Sequence, residues 1–146
     1  DPLNHKQTMT EGAAVFHGAS SLSGGMTMQY LHTTLYVTDL EASVSFLENW
    51  TGLKVLRRFS MGDAHFAFLS GGEGETAVEL IQGAGHSDVR YAGLSLGFAV
   101  ADLDGERARA EAAGLNPSPI REPHPGVRFC FLTGPDGLTV QLMQKG

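Results

Sequence analysis

The sequence is poor in cysteine, in basic residues and in long apolar runs. Cys130 is the single cysteine in 146 residues, so no disulfide can form within the chain, as is usual in reducing compartments. Ten Lys and Arg against 16 Asp and Glu give a net charge of −6, without any basic cluster. Such a chain lacks the positive surface that attracts nucleic acid or anionic membranes. No apolar stretch approaches the roughly 18 residues of a spanning helix. We therefore expect a cytoplasmic protein that binds neither nucleic acid nor membrane.

The first 28 residues differ from the rest of the chain. They are rich in Gly, Ser, Thr and Ala, show no hydrophobic period, and lack the apolar segment of a secretory signal. We expect residues 1–28 to be a flexible N-terminal extension or a tail introduced by cloning. His5 and His17 lie in this segment and are expected to be solvated.

The remaining chain contains one pattern twice. Residues 30–55 and 93–115 each read as an alternating strand, a Val-x-Asp-Leu turn, an amphipathic helix and a Gly-Leu pair. The two Val-x-Asp-Leu turns are 63 residues apart. The similarity between the two copies continues downstream, where residues 66–69 match 129–132 and residues 77–80 match 139–142. A tandem duplication of one module explains all four correspondences.

Each copy predicts a βαβββ module. Asp39 and Asp102 stand where a helix N-cap is expected, and Gly52 and Gly114 follow the predicted helices. Short β-rich runs separated by glycine-rich turns follow in both copies. We predict an α+β fold of two tandem βαβββ modules, residues 29–83 and 92–146, joined by a linker at 84–91, with sheets curled around a shared cleft.

Polar side chains occupy equivalent positions on otherwise apolar strands. His32 and Ser95 lie on the two first strands, and Glu79 and Gln141 on the two fourth strands. The neighbours of Glu79 in the sequence are apolar, so its side chain points to the opposite face of the sheet. A buried carboxylate there needs a metal ion or a cationic partner, whereas on a solvated face it needs neither. The spacing alone leaves both interpretations open.

The ordered set of motifs resembles the vicinal oxygen chelate superfamily of glyoxalase I, bleomycin- and fosfomycin-resistance proteins and extradiol dioxygenases. It is most similar to bacterial glyoxalase I, and the likeness covers residues 30–144. The matching motifs are Leu-His-Thr-Thr-Leu at 31–35, Val-x-Asp-Leu at 37–40, Ser-Val-x-Phe at 43–46, Gly-Leu-Lys at 52–54, Ala-Phe-Leu at 67–69, Ala-Val-Glu-Leu at 77–80, Arg-Glu-Pro at 121–123, Pro-Asp-Gly at 135–137 and Val-x-Leu at 140–142.

The resemblance implies a divalent metal site, for nickel, zinc, cobalt or manganese, at His32, Glu79 and Gln141. Glyoxalase I has four strand ligands, and His32 and Glu79 match the first two. Ser95 stands where the third ligand, a His, belongs, and is assigned to the substrate pocket. Gln141 replaces a Glu that is also the catalytic base, and an amide cannot accept a proton near neutral pH. Glu79 is then the remaining catalytic carboxylate.

Two further residues are assigned to the substrate pocket by the same resemblance. Tyr36 stands where glyoxalase I has an Arg that holds a glutathione carboxylate, so glutathione recognition is weakened. His124 lies in a loop that shapes the pocket in family members. By contrast, Arg57 and Arg58 are expected on a solvated strand face, and His65 and His86 on the surface.

The sequence is therefore consistent with two functions. The first is a glyoxalase-type lyase or isomerase, in which a metal assists chemistry on an unidentified small molecule. The second is a metal-free protein that binds and sequesters a small molecule, as bleomycin-resistance proteins do. An extradiol dioxygenase is disfavoured, because its iron needs two His and one carboxylate. By analogy with the family we expect a homodimer.

Overall fold

The computed structural model describes residues 27–145. His5, His17 and most of the predicted N-terminal extension therefore lie outside the described residues. The first module contains β1 (His32–Val37), α1 (Leu40–Thr51), β2 (Lys54–Met61), β3 (Ala64–Ser70) and β4 (Ala77–Gln82). The second contains β5 (Ser95–Ala99), α2 (Leu103–Ala112), β6 (Arg121–His124), β7 (Val127–Thr133) and β8 (Thr139–Lys145).

Each module forms its own four-stranded mixed sheet. The strand orders are β1-β4-β3-β2 and β5-β8-β7-β6, so the two sheets have the same topology. In both, the first strand pairs in parallel with the fourth, and the other pairs are antiparallel. The predicted α+β fold of two βαβββ modules is confirmed. Neither helix of the described chain is long and apolar enough to cross a bilayer.

The helices begin at the two predicted caps. The carboxylate of Asp39 accepts a hydrogen bond from the Ala42 amide at 3.1 Å, and that of Asp102 accepts one from the Gly105 amide at 3.0 Å. These bonds satisfy donors that the first turn of a helix leaves without an intrahelical partner. Helix α1 ends at Gly52, whose φ of 80° suits a residue without a side chain.

A second side-chain hydrogen bond holds the start of each helix, and it was not apparent from the sequence. Gln82 Oε1, at the end of β4, accepts a hydrogen bond from the Leu40 amide at 2.7 Å. Gln144 Oε1, near the end of β8, accepts one from the Leu103 amide at the same 2.7 Å. Both modules therefore tie the first residue of the helix to the fourth strand, which fixes the helix against its sheet.

The two modules share one core on the helix side of their sheets. The core contains buried residues of both modules: Leu35, Val37, Leu40, Val44, Phe46, Leu47, Leu53, Ala67, Leu69, Leu80, Leu103, Ala110, Cys130, Leu132, Leu138, Val140 and Leu142. Arg109 joins the helices, because its guanidinium donates to the Asn49 carbonyl at 2.8 Å and lies 4.1 Å from the centre of the Trp50 ring. The opposite faces of both sheets, which carry the polar positions, do not contribute to this core.

A bulge in β2 changes which face its arginines occupy. Val55 pairs with Leu69, but the register shifts and Arg57 pairs with Phe68. Strict alternation would place Arg57 beside Val55 on the helix side, and the extra residue moves it to the opposite face. Arg58 is exposed and forms two bonds to the Glu41 carboxylate, at 2.6 and 3.0 Å. The expected solvated face is therefore right for Arg58 and wrong for Arg57, whose Nη1 is buried.

Candidate functional site

The candidate site lies on the face of the first sheet opposite helix α1, here called the site face. Alternation along the strands places the His32 and Glu79 side chains on this face, away from the shared core. The site face consists of His32, Thr34 and Tyr36 from β1, Glu79 and Ile81 from β4, Phe66 and Phe68 from β3, and Arg57 and Phe59 from β2.

Glu79 is the centre of the site face. Its side chain is fully buried, at 0% exposure, and His32 is 22% exposed. Thr34 lies opposite Glu79 in the parallel pair, and its hydroxyl donates to Glu79 Oε1 at 2.5 Å. His32 Nε2 lies 3.5 Å from the same oxygen, and the edge of the His32 ring meets Phe68, with centroids 5.7 Å apart. The carboxylate is therefore held in one orientation by two neighbours from β1.

These donors fit only part of a metal site. An imidazole nitrogen and a carboxylate oxygen are good ligands for zinc, nickel, cobalt or manganese. Within residues 27–145, however, no group of three or more His, Cys, Asp and Glu side chains is placed to hold a metal. The first sheet thus supplies two strong donors, and any further ligand must be a neutral oxygen, a substrate atom, or a residue from elsewhere.

Ser95 and Gln141 occupy the equivalent face of the second sheet. Gln141 pairs with Gly97, as Glu79 pairs with Thr34, so the duplication keeps its register. Ser95 is exposed and Gln141 is half-buried. One chain therefore brings His32 and Glu79 together, and keeps the other two predicted residues on a separate face.

Tyr36 is engaged in a contact that the sequence did not reveal. Its ring stacks on His86 with centroids 3.8 Å apart and planes 26° from parallel, and its carbonyl accepts a hydrogen bond from the Tyr91 hydroxyl. Burial, with a smaller contribution from the Asp136 carboxylate, raises the pKa of Tyr91 to about 12. His86 is exposed, as expected, but the unperiodic linker gave no sign of this stack. A cavity of 560 Å³ reaches from Thr34 to Tyr36, His86 and Tyr91.

His124 lies in β6, on the second sheet. It is exposed, and it pairs with Val127 across the turn between β6 and β7 in the second module. Its assignment to the pocket stays a prediction from the resemblance. The residue that the sequence missed is Arg57, which the β2 bulge turns onto the site face. A bulge leaves no mark in an alternating pattern, so no signal pointed to it.

The sequence motifs and the duplicated topology match one family. The model of the glyoxalase/bleomycin resistance protein/dioxygenase superfamily matches residues 29–142. The chain belongs to this superfamily.

Individual relatives of the superfamily cover most of the chain. The uncharacterised protein YwbC of Bacillus subtilis is 31% identical over 121 residues, which are 78% of this chain and 95% of that protein. A lactoylglutathione lyase of Neisseria meningitidis is 27% identical, across 81% of this chain and 91% of the enzyme. The structure is similar to that of the trypanothione-dependent glyoxalase I of Leishmania major, with a TM-score of 0.67, 26% identity, and coverage of 81% and 87%.

Proposed function

We propose that this superfamily member acts on a small molecule at the site face, with a weak divalent metal site based on His32 and Glu79. The supporting observation is the 3.5 Å approach of His32 Nε2 to Glu79 Oε1 on a sheet face whose other side chains are mostly aromatic or apolar. Glyoxalase-type lyase or isomerase chemistry is the reaction class that fits. The likeness to a lactoylglutathione lyase supports that class without fixing the substrate.

In this proposal the chain's own residues bind, orient and move a proton. The bound metal would act as a Lewis acid on oxygen atoms of the substrate. Among residues 27–145, Glu79 is the only carboxylate on the site face, and it is therefore the group that would exchange a proton with the substrate. Thr34 donates to one oxygen of Glu79 and so orients the carboxylate that would accept the proton.

A second copy of the chain completes the site in this proposal. The equivalent face of the second sheet is open to solvent, because Ser95, Gly97 and Ala99 along β5 are exposed. Placed against the first sheet of another copy, it would bring Gln141 to the His32–Glu79 pair, and its amide oxygen is a suitable neutral ligand. We therefore propose a homodimer with two equivalent sites.

The alternative is metal-free binding and sequestration of a small molecule. The observation that favours it is the lack of a third His, Cys, Asp or Glu beside His32 and Glu79 in the described residues. The half-buried ring of Phe59, which stacks on the buried rings of Phe66 and Phe68, would pack against an apolar ligand. In this alternative His32 and Glu79 form an ion pair or hydrogen bond beside the ligand.

Calorimetric titration of the metal-free protein separates the two functions. Nickel, zinc, cobalt and manganese are titrated into the wild type, His32→Ala and His65→Ala. His65 is the matched control, since it is an exposed histidine of the same sheet that binds Ser60 through Nδ1 at 2.7 Å. Metal-assisted chemistry predicts binding that is lost in His32→Ala and kept in His65→Ala.

The same titration can exclude the metal-based proposal. No binding to the wild type at micromolar concentration, or equal binding to both variants, would leave the metal-free alternative. A positive result leads to assays with α-ketoaldehyde adducts of thiols and with epimerase substrates. Activity that survives Glu79→Gln would contradict the role of Glu79 in proton transfer.

A further inference from the structure

Arg57 extends the site face beyond the residues that the resemblance identifies. The registers of β1, β4, β3 and β2 place Thr34, Glu79, Phe68 and Arg57 in one row across the sheet. Phe68 separates Arg57 from the carboxylate, and its ring also meets the edge of His32. Arg57 is therefore one aromatic side chain away from the candidate metal ligands.

The Arg57 guanidinium lies over aromatic rings, and one of its donors has no acceptor among the described residues. Its central carbon is 4.7 Å from the Phe59 centroid and 6.0 Å from that of Phe68. Nη1 is buried, and no hydrogen-bond acceptor of residues 27–145 reaches it. No carboxylate of residues 27–145 forms an ion pair with Arg57. A buried, charged donor without an acceptor is unfavourable, so such groups are usually completed by a partner.

Other arginines of the chain illustrate the contrast. Arg58, Arg107, Arg109 and Arg128 each reach an Asp or Glu, with nitrogen–oxygen distances of 2.6 to 3.0 Å. All four are paired on the outer, helix-bearing side of the molecule with residues of α1 or α2. Arg57, on the site face, has no such partner among residues 27–145 and lies against Phe59 and Phe68 instead. An acceptor for Arg57 would therefore come from outside the described residues.

We infer that Arg57 is a recognition residue for a carboxylate on the small molecule bound at the site face. A guanidinium binds a carboxylate through two parallel hydrogen bonds, and that of Arg57 lies over the Phe59 ring. We expect a singly charged ligand, because the Glu79 carboxylate in the same row would repel further negative charge. Arg57 and Phe59 are half-buried, so the Arg57 end of the row is partly open to solvent.

The inference also describes the body of the ligand. Phe59 stacks on Phe66 with centroids 4.5 Å apart and planes 11° from parallel. Phe66 and Phe68 are buried and Phe59 is half-buried, so Phe59 is the ring that a ligand beside Arg57 would contact. The ligand class is thus an apolar or aromatic carboxylate. The inference deepens the proposed function and rests on it for the position of the ligand, but it holds with or without a metal.

Ligand titration followed by NMR tests this class with three matched probes. Benzoate, benzamide and phenyl phosphate are added to metal-free wild type, Arg57→Gln, Arg57→Lys and Arg58→Gln. We expect benzoate to bind the wild type more tightly than either other probe. Arg57→Gln should weaken benzoate at least about tenfold and leave benzamide unchanged, since bonds to charged groups contribute most. Arg58→Gln, the matched control on the other side of β2, should bind as the wild type does.

Several results would overturn the inference. These are absence of benzoate binding to the wild type, equal binding of benzoate and benzamide, tighter binding of phenyl phosphate, or unchanged benzoate affinity in Arg57→Gln. If Arg57→Gln does not fold, Arg57→Lys gives the answer, because it keeps the charge but loses the paired donors and should still weaken benzoate. Repeating the titration in His32→Ala separates carboxylate recognition by Arg57 from the proposed metal site. The His32→Ala variant should still bind benzoate more tightly than benzamide, even if it no longer binds metal.

Discussion

Thr34 and Glu79 face each other across β1 and β4, and the Thr34 hydroxyl donates to Glu79 Oε1 at 2.5 Å. The equivalent pair of the second module is Gly97 and Gln141. That pair has no hydroxyl, and its amide carries no charge. The backbone register is therefore the same in both halves, while at this pair of positions only the first half has an oriented carboxylate. This asymmetry is the basis for placing the chemistry on the first sheet.

Removing the Thr34 hydroxyl tests its role as a positioning residue. Thr34→Val should lower the affinity for a divalent metal about 10- to 100-fold, the range found when a partner of a ligating side chain is lost. Calorimetric titration measures it. Thr33→Val is the control, because the Thr33 hydroxyl contacts the exposed Tyr30 instead. Equal affinities of the two variants would show that Thr34 does not orient Glu79.

Restoring the ligands of the second sheet should strengthen metal binding. Ser95→His combined with Gln141→Glu places an imidazole and a carboxylate on β5 and β8, at the positions equivalent to His32 and Glu79. We expect tighter nickel or zinc binding by the double variant, and the gain should require the dimer. Metal titration together with light scattering checks both points. A double variant that binds no better than the wild type would mean that the two faces do not meet.

The two glutamines that hold the helix starts should contribute equally to stability. Gln82→Ala and Gln144→Ala each remove one bond to a helix amide, and each should lower the free energy of unfolding by about 1 kcal/mol. Urea denaturation measures the change. Gln141→Ala lacks such a bond and serves as the comparison, with a smaller expected effect. A marked difference between Gln82 and Gln144 would argue against equivalent roles in the two modules.

Tyr91 should make stability depend on alkaline pH. Its folded pKa of about 12 exceeds the value of about 10 for an unfolded tyrosine, so the folded state holds the phenolic proton more tightly. This contribution is complete below about pH 10 and is lost as the pH rises toward 12. Absorbance titration of tyrosinate should show one tyrosine ionising late, and Tyr91→Phe should remove that step. If the late step persists in the variant, it belongs to another residue.

The fold was predictable because its signals are local and repeated. The Val-x-Asp-Leu turns specify two caps, and both caps form. The alternation of β1 and β4 places His32 and Glu79 on one face, which the sequence could indicate from a period of two. The caps by Gln82 and Gln144 were missed, because they join residues about 40 positions apart, and no local pattern records such a pair.

The candidate site was less predictable for a related reason. One irregular residue in β2 reverses the face of Arg57, and alternation cannot foresee a bulge. The stack of Tyr36 on His86 depends on the path of a linker without period. The sequence could name the polar positions of each sheet. Which of them meet depends on how the two sheets are arranged, and one chain brings together only His32 and Glu79.

The metal site at His32 and Glu79 is tested most directly by paramagnetic NMR with manganese. Mn²⁺ is added in small steps to the labelled wild-type protein, and the loss of each signal by relaxation is mapped on the sequence. A metal site at His32 and Glu79 predicts that the signals of the His32 ring and of the amides around Glu79 on β1 and β4 broaden first. The signals of His65 and His124 should stay sharp. Broadening confined to His65, His86 or His124, or no broadening at all, would contradict a metal site at His32 and Glu79.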